Sequence, residues 1–381
     1  MALVDWFGGL GSSALGYIVP FLFVLTIVVF FHELGHFLVA RWCGIAVKVF
    51  SVGFGPELCG FNDRKGTRWR LSLIPLGGYV KFLGDENEAS GSRRAALDSL
   101  DPADRPRTFA AKSVGARAAV VAAGPIANFI LAIAIFTVIF AVYGREVMTP
   151  RVDGVQPASA AEKAGFLAGD IVLSVDGTRI TSFTDLQRLV SDRAGQTLQV
   201  VVKRGTEEKA LAVQPELREI TDRFGNKQRM GVLGVSHDAS GQDVVVERFS
   251  LPQAAVVATH ETWFFAARTL SYLLAVVVGR ESADQLGGPI RVASVSAQVA
   301  TLGIVALINL AAILSISIGL INLFPVPMLD GGHLLFFAIE AIRGKPLSER
   351  VQDVGFGLGF AAVLALMIFA TWNDIIHLSS L

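Results

Sequence analysis

Two histidines and a glutamate lie close together near the end of a long apolar stretch, in the sequence His32-Glu33-Leu34-Gly35-His36. Histidines four positions apart lie on one face of a helix, where both imidazoles can bind a single zinc ion. Zinc held in this way lowers the pKa of a water molecule, and the adjacent glutamate can accept the proton. The spacing therefore predicts His32 and His36 as metal ligands and Glu33 as a general base.

The residues before this motif favour the metal interpretation. Residues 18–31 are mostly apolar, so the motif continues a segment that can cross a membrane. An ionisable side chain at the centre of a bilayer costs about 2.5–3.5 kcal/mol. Three such groups in so short a segment need a compensating partner, and a metal ion supplies one. The alternative is that the two histidines are surface residues without a ligand.

A hydrolytic zinc site needs a third protein ligand and one open position. The candidate is Asp330, in a segment at 322–333 where Pro325 and Pro327 interrupt a later apolar run. Irregular backbone at membrane depth is tolerated where it lines a cavity. Two alternatives remain open: Asp330 could instead cap the helix that follows it, and His333 is a rival ligand.

Four segments are apolar over the roughly 20 residues that a bilayer span requires: 15–40, 118–143, 304–324 and 356–372. Of the 381 residues, 52% are hydrophobic and 17% are charged, which argues against a soluble enzyme. The 33 basic and 33 acidic residues balance, so no positive field attracts nucleic acid. The predicted fold class is a polytopic α-helical membrane protein with about four transmembrane helices.

The predicted organisation places loops and domains between these helices. The parts are the N-terminus and first helix at 1–41, a loop at 42–117, the second helix at 118–143, an inserted domain at 149–216, a linker at 217–303, the third helix at 304–333 and the fourth at 356–372. Basic residues near the ends of the spans, such as Lys48, Lys112 and Arg343, indicate a cytoplasmic loop at 42–117. The N-terminus and the inserted domain are then extracytoplasmic, and no positive segment marks the first span as a signal peptide.

The inserted domain is expected to be α+β. Short β-type runs at 171–175 and 198–202 surround the turn dipeptide Asp176-Gly177, and residues 185–191 have helical spacing. Residues 253–278 have an apolar helical stripe, which predicts an amphipathic helix at the membrane surface or, alternatively, a core helix of this domain.

Residues 67–82 alternate polar and apolar side chains before Pro75 and Gly77, which predicts a β-hairpin in the cytoplasmic loop. Two polar residues lie inside spans. Hydrogen bonding between helices is the preferred interpretation of Asn128, whereas for Asn322 that role and a role in the catalytic site are equally open.

Together, the paired motifs resemble the site-2 protease family of intramembrane zinc metalloproteases. The resemblance rests on the sequence at 32–36 and on Pro-x-Pro-x-Leu-Asp-Gly at 325–331. Gly-Pro-x-x-Asn-Phe at 124–129, Gly-Gly-Tyr-Val-Lys at 77–81 and the Gly-Pro element at 287–290 support it. The order is similar to the bacterial regulator-of-sigma-E proteases over essentially the whole chain. The inserted domain at about 149–216 resembles a protease-associated PDZ domain, of which the sequence has one copy and not two; residues 157–161 and 164–171 carry this resemblance.

The resemblance implies a zinc endopeptidase of the bacterial inner membrane that cleaves the transmembrane segments of single-span proteins. Anti-sigma factors and remnant signal peptides are the implied substrates, and Zn²⁺ is the implied cofactor, near the cytoplasmic face. In the family, an element comparable to residues 67–82 dips into the membrane and offers a strand edge to substrate. The alternative is a cytosolic hairpin near the lipid headgroups. Gly77, Gly78 and Tyr79 are therefore candidate substrate-binding residues, and Asn322 matches a position that holds substrate. The PDZ-like domain would bind an extended peptide or act as a rigid plug.

Two other classes of function compete with the peptidase. A membrane metal transporter would also use intramembrane histidine and aspartate, but it has no need of Glu33 or of a PDZ-like domain. A catalytically inactive peptide-binding scaffold is disfavoured because all three candidate ligands and the candidate base are present. The peptidase is therefore the expected function.

Overall fold

The computed structural model describes residues 14–84, 100–221, 227–237, 244–279, 283 and 287–379. The described residues separate into two compact units, one comprising Met1–Ile139 and Leu251–Leu381 and the other Phe140–Ser250. They contain nine helices: α1 (Ala14–Trp42), α2 (Val114–Val142), α3 (Ala160–Ala164), α4 (Phe183–Ser191), α5 (Leu251–Val277), α6 (Pro289–Thr301), α7 (Ile304–Asn322), α8 (Asp330–Arg343) and α9 (Glu349–Ser379).

The same residues contain twelve strands: β1 (Val47–Asn62), β2 (Arg68–Phe82), β3 (Arg145–Met148), β4 (Gly154–Val155), β5 (Ile171–Val175), β6 (Thr178–Arg179), β7 (Leu198–Arg204), β8 (Glu207–Val213), β9 (Glu216–Thr221), β10 (Lys227–Val232), β11 (Val235–Ser236) and β12 (Val244–Glu247).

Four helices in the described part of the chain are long and apolar enough to cross a membrane. They are α1, α2, α7 and α9, and they overlap the four predicted spans. The chain is therefore an integral membrane protein. The third predicted segment, 304–333, is not one helix: α7 ends at Asn322, and α8 begins at Asp330. The intervening residues include Pro325 and Pro327, which cannot donate backbone hydrogen bonds to a continuing helix.

The membrane helices cross closely at small residues. A Cβ atom added at Gly35 of α1 would lie 2.7 Å from the Cβ of Ala127 on α2. On the other side of α2, a Cβ at Gly319 of α7 would lie 3.1 Å from the Cβ of Asn128. The Ser315 hydroxyl of α7 also donates to the backbone carbonyl of Asn128 at 2.9 Å. Small residues of this kind let helix backbones approach in a bilayer, so α1, α2 and α7 form the scaffold of this unit.

Helix α5 packs against α7, with Ala254, Ala258 and Thr262 buried along one face and Trp263 exposed. It belongs to the same compact unit as the membrane helices. The alternative prediction, that residues 253–278 form a core helix of the inserted domain, is therefore wrong. The alanines at i and i+4 explain the packing, because they leave room for the neighbouring helix.

Strands β1 and β2 pair with each other, and both bend. Residues 47–52 of β1 pair with 68–71 on one side and with 78–82 on the other, while 57–62 also pair with 68–72. Two long strands thus make a sheet of four short segments. The predicted hairpin at 67–82 differs from this arrangement: its two halves flank 47–52 and do not pair with each other. Phe50, buried at 1% exposure in the central segment, packs against Phe37 of α1 and explains why that segment is innermost.

The turn of this sheet is joined to the end of α1. The Arg41 guanidinium forms an ion pair with Asp63, and the Trp69 indole donates to the same carboxylate at 3.2 Å. Burial alone would raise the pKa of Asp63, but these bonds and the backbone N–H of Thr67 lower it to about 2. The carboxylate therefore stays charged throughout the neutral range and holds the sheet against the helix.

The unit at Phe140–Ser250 has its own core. Strands β5 to β8 form an antiparallel sheet in the order β6-β5-β7-β8. Val172, Val200 and Val202 are fully buried and pack with Leu186 of α4. The predicted strands at 171–175 and 198–202, the helix at 185–191 and the Asp176-Gly177 turn are all present, with positive φ at both turn residues.

This unit extends beyond the predicted limits of 149–216. Strand β4 pairs with β11, and β3 pairs with β12, so residues up to Glu247 belong to it. The predicted linker therefore begins later than residue 217. The pairing partners are 80 to 102 residues apart in sequence, and no local pattern relates them.

Asp170, which is fully buried in this unit, makes a two-pronged ion pair with Arg204, at 2.7 and 2.8 Å. Burial alone would raise the pKa of Asp170, but the guanidinium and the Leu167 N–H lower it below its usual value. A carboxylate with a lowered folded-state pKa contributes stability above its unfolded pKa of about 4, and that contribution is lost as pH falls through the folded-state value.

Candidate metal centre and active site

His32, His36 and Asp330 converge on one point although 294 residues separate the second histidine from the aspartate in sequence. The Nε2 atom of His32 lies 3.2 Å from the Nε2 atom of His36 and 3.2 Å from Oδ2 of Asp330. The Nε2 atom of His36 lies 3.6 Å from the same oxygen. The side chains are 12%, 13% and 18% exposed. Among the described residues, this is the one group of three or more such side chains with metal-binding spacing.

Two structural elements bring these residues together. Helix α1 presents His32 and His36 on one face, and their rings pack edge to face with centroids 4.8 Å apart. Asp330 is the first residue of α8, and its N-cap is Leu329, which makes no side-chain cap hydrogen bond. Asp330 therefore lies inside the helix and does not occupy the capping position, which was the alternative expectation for it.

His333 is not part of the cluster. Its ring lies 5.2 Å from the ring of Phe356 on α9. Within the described part of the chain, the three-residue group contains Asp330 and excludes His333.

The atoms at the centre of the cluster suit a metal ion. His36 Nδ1 lies 2.8 Å from the carbonyl oxygen of Val120, which can only accept. The proton of His36 is therefore on Nδ1, and the lone pair of Nε2 faces the cluster. Oδ2 of Asp330 is buried and faces the Nε2 atoms of both histidines. Two nitrogens and one carboxylate oxygen are a donor set that zinc accepts, so these residues fit the metal.

Gly124 of α2 leaves room for the two imidazoles. A Cβ atom at this position would overlap the Nε2 atom of His36 and lie 2.9 Å from Cε1 of His32. Pro125 and Asn128 follow on the same helix, and the Asn128 amide nitrogen lies 3.2 Å from Nδ1 of His32. The preferred sequence-based interpretation of Asn128, hydrogen bonding between helices, left out this contact with the site.

Glu33 is held between α1 and β2. The backbone of Val80 lies near its carboxylate. A Cβ atom at Gly78 would lie 3.0 Å from Cγ of Glu33 and 2.8 Å from the carbonyl oxygen of Ser51. Gly78 is therefore a point of close approach between the sheet and Glu33, and any larger residue there would push the strand away from Glu33.

The other candidate substrate-binding residues have different surroundings. The ring of Tyr79 stacks on Phe54 at 6.0 Å, with the Arg70 guanidinium 5.0 Å from the Tyr79 ring. Gly77 has a φ of 139°, which a side chain rarely adopts, and turns the chain before the strand segment at 78–82. Asn322 is the half-buried last residue of α7, with no side-chain hydrogen bond to a described residue.

Two long-range contacts at the site were missed by sequence reasoning. Arg117 at the start of α2 forms an ion pair with Glu340 of α8 at 2.6 Å, and both side chains are 13% exposed. On α9, a Cβ atom at Gly359 would overlap the carbonyl oxygen of Pro327. Both contacts fix the loop and helix that carry Asp330. The sequence indicates these contacts only through a charged residue or a glycine in an otherwise apolar helix.

The chain resembles known proteins over most of its length. The family model described as "Peptidase family M50" matches residues 20–366. A protein of Agrobacterium fabrum that is named as a zinc metalloprotease is 52% identical over 360 residues, covering 94% of this chain and 96% of its own. Metalloprotease MmpA of Caulobacter vibrioides is 39% identical over 381 residues, covering 94% of this chain and 95% of its own.

A solved PDZ domain of an SdrC-like protein from Listeria monocytogenes matches a smaller part. It is 18% identical, covers 23% of this chain and 83% of that domain, and has a TM-score of 0.18. A likeness at this level does not establish the fold of the inserted unit.

Proposed function

The chain belongs to peptidase family M50, a family of intramembrane zinc metalloproteases, and we propose that it cleaves the transmembrane segments of single-span membrane proteins at the cluster of His32, His36 and Asp330. The enzyme is thus a zinc metalloprotease. The observation that carries the assignment of residues is the convergence of two Nε2 atoms and one carboxylate oxygen within 3.6 Å. Zinc, when bound, supplies a Lewis acid for the peptide carbonyl and makes water nucleophilic.

In this proposal Glu33 moves the proton. It follows His32 directly in sequence, and its carboxylate lies close enough to His36, His32 and Asp330 to interact with them electrostatically. It accepts a proton from the attacking water and passes it to the leaving nitrogen. We expect the nearby Val80 backbone to orient the carboxylate for both transfers.

Substrate is held by the strand segment at 78–82. A helix in a membrane hides its carbonyl groups in its own hydrogen bonds, so it must unwind before it is cut. The segment at 78–82 pairs with 47–52 on one side and has no strand partner among the described residues on the other. An extended peptide can add to such an edge, and the proximity of Gly78 to Glu33 would bring its backbone to the site. Asn322 is proposed to contact the same substrate.

The sheet carries many exposed apolar side chains, which support contact with lipid. They include Phe54, Leu58, Phe61, Leu71 and Leu73, each more than 40% exposed. Contiguous exposed apolar surface of this kind is typical of membrane or partner contact.

We place the enzyme in a bacterial inner membrane, with the zinc site near the cytoplasmic face and residues 144–250 outside. The basic residues flanking the spans and the bacterial origin of the relatives support this placement. The extracytoplasmic unit is proposed to be PDZ-like and to contact the external part of substrates. Anti-sigma factors and remnant signal peptides are the proposed substrate classes.

The test of the metal site compares Asp330→Ala with His333→Ala in purified full-length protein. We expect Asp330→Ala to lose most of its zinc and its cleavage of a model single-span substrate, because one of three ligands is gone. His333→Ala changes the rival residue in the same helix and should keep both. Zinc is measured by elemental analysis. Full zinc occupancy in a folded Asp330→Ala protein, or zinc loss only in His333→Ala, would refute the assignment.

A further inference from the structure

Asn128 is a polar side chain that contacts the cluster and that the proposed chemistry does not use. It lies on α2 and is fully buried. Its amide nitrogen is 3.2 Å from Nδ1 of His32, whereas its amide oxygen is buried without a hydrogen-bond partner in the described structure. A buried amide with one end on a candidate metal ligand calls for a reason beyond helix packing.

The two histidines differ in what holds their Nδ1 atoms. Nδ1 of His36 faces the Val120 carbonyl, which accepts only, so Nε2 is free of a proton. Nδ1 of His32 faces an amide, which can donate or accept. If the amide nitrogen donates, the proton of His32 must be on Nε2, where it points towards Asp330 and blocks a metal ion.

A half turn of the amide exchanges its oxygen and nitrogen without changing its shape. Its oxygen then accepts from Nδ1–H of His32, and the lone pair of Nε2 faces His36 and Asp330. Each orientation leaves one end of the amide without a described partner, so hydrogen bonding of the amide alone does not favour either one. Binding of a metal ion at Nε2 would favour the orientation in which the amide oxygen accepts from Nδ1–H of His32.

We propose that Asn128 is a positioning residue, whose amide oxygen accepts from Nδ1–H of His32 and so directs Nε2 towards the metal. The inference rests on the proposed role of His32 as a ligand. Partners of this kind fix the tautomer and orientation of a histidine ligand, and their loss typically costs about 10–100-fold in metal affinity.

The contacts of Asn128 with α7 do not require its amide. Ser315 donates to the backbone carbonyl of Asn128, which every residue at this position retains. The close approach of Gly319 is to the Cβ atom of Asn128, which is also common to other residues. Substitution of the amide therefore separates its effect on His32 from the packing of α2 against α7.

The experiment measures zinc affinity of the full-length protein by competition with a chelator. Asn128→Leu keeps the approximate volume but cannot accept, and we expect zinc to bind about 10–100-fold more weakly. Asn128→Asp keeps an acceptor but no donor, and it should hold zinc at least as well as the unchanged protein. Packing alone would not produce this pattern, because the apolar residue suits a membrane helix better than the charged one. If the leucine variant does not fold, Asn128→Ala replaces it with the same expectation.

Two further variants define the outcome. Ser315→Ala removes the neighbouring hydrogen bond to the backbone and should leave zinc affinity unchanged. His32→Ala tests the premise: if it retains zinc, the proposed metal site is wrong. If His32→Ala loses zinc while Asn128→Leu keeps the affinity of the unchanged protein, the metal site stands and this inference is overturned. Equal weakening by Asn128→Leu and Asn128→Asp also overturns it, since an acceptor would then not matter.

Discussion

Glu33 lies against strand β2, whereas the two histidines face Asp330 through Nε2 and groups of α2 through Nδ1. The Val80 backbone lies near the Glu33 carboxylate, and Gly78 gives the strand room to approach. Replacement by glutamine keeps the volume and one carbonyl oxygen, but glutamine cannot take up a proton. A substitution at this residue should therefore abolish proton transfer without removing zinc.

We expect Glu33→Gln to retain zinc and to lose cleavage by about 10²–10⁴-fold, the usual contribution of a general base. Zinc content and single-turnover cleavage of a single-span substrate are measured on the same preparation. Turnover within tenfold of the unchanged enzyme would assign the proton to another group, and loss of zinc would show that Glu33 also supports the ligands.

The residues of the site differ in how far sequence alone could predict them. Helical periodicity relates His32 to His36, so their common face followed from their spacing. Asp330 came from the chemistry of a third ligand and from a proline-broken span. Asn128 was expected to act between helices. Its contact with His32 depends on the crossing of α1 and α2, and no local pattern contains that crossing.

At the scale of elements, the loop at 323–329 carries Asp330 into the site. Met328 in this loop has a φ of 101°, a strained conformation for a residue with a side chain. The next element, α9, lies against the loop, because Gly359 leaves room for the Pro327 carbonyl. The loop is thus held in an unfavourable conformation by packing on a helix far along the chain.

Gly359→Ala should displace this loop, since the new Cβ atom would overlap Pro327. A shift of about 1 Å at a catalytic group can cost about 100-fold in rate, and we expect a loss of that order together with weaker zinc binding. Gly357→Ala is the matched control: it makes the same change in the same helix, where a Cβ atom meets nothing within 4 Å. Equal activity in both variants would show that the loop can move without loss of catalysis, which would contradict this prediction.

Element pairing was the least predictable part of the fold. The alternation at 68–73 correctly indicated a strand, but it could not identify the partner, because β-propensity reports a pleated, half-buried surface and not a neighbour. The pairing of β3 with β12 joins segments about a hundred residues apart. The predicted end of the inserted unit at residue 216 was therefore too early in the sequence.

On the scale of the whole molecule, every residue of the proposed catalytic cluster lies in the unit formed by Met1–Ile139 and Leu251–Leu381. The unit at Phe140–Ser250 has a separate core of buried valine, leucine and phenylalanine side chains. It therefore contributes no group to bond cleavage within the described site. Its proposed role is to screen substrates by the bulk of their external part, as expected of a folded body inserted between two membrane helices.

Removal of this unit tests the screening role, and the fold shows where to cut. Met148 and Val244 are paired neighbours at the ends of β3 and β12, so a short glycine-containing turn can replace residues 149–243. We expect the shortened enzyme to cleave a substrate already trimmed outside about as well as the full chain, because the cluster is untouched. It should also cleave a substrate with a folded external domain, which we expect the full chain to reject. Both enzymes are expressed at equal levels in cells, with Glu33→Gln in the shortened chain as the inactive control. Loss of cleavage of both substrates by stably inserted protein would contradict screening, and the unit would then be a brace for the membrane helices.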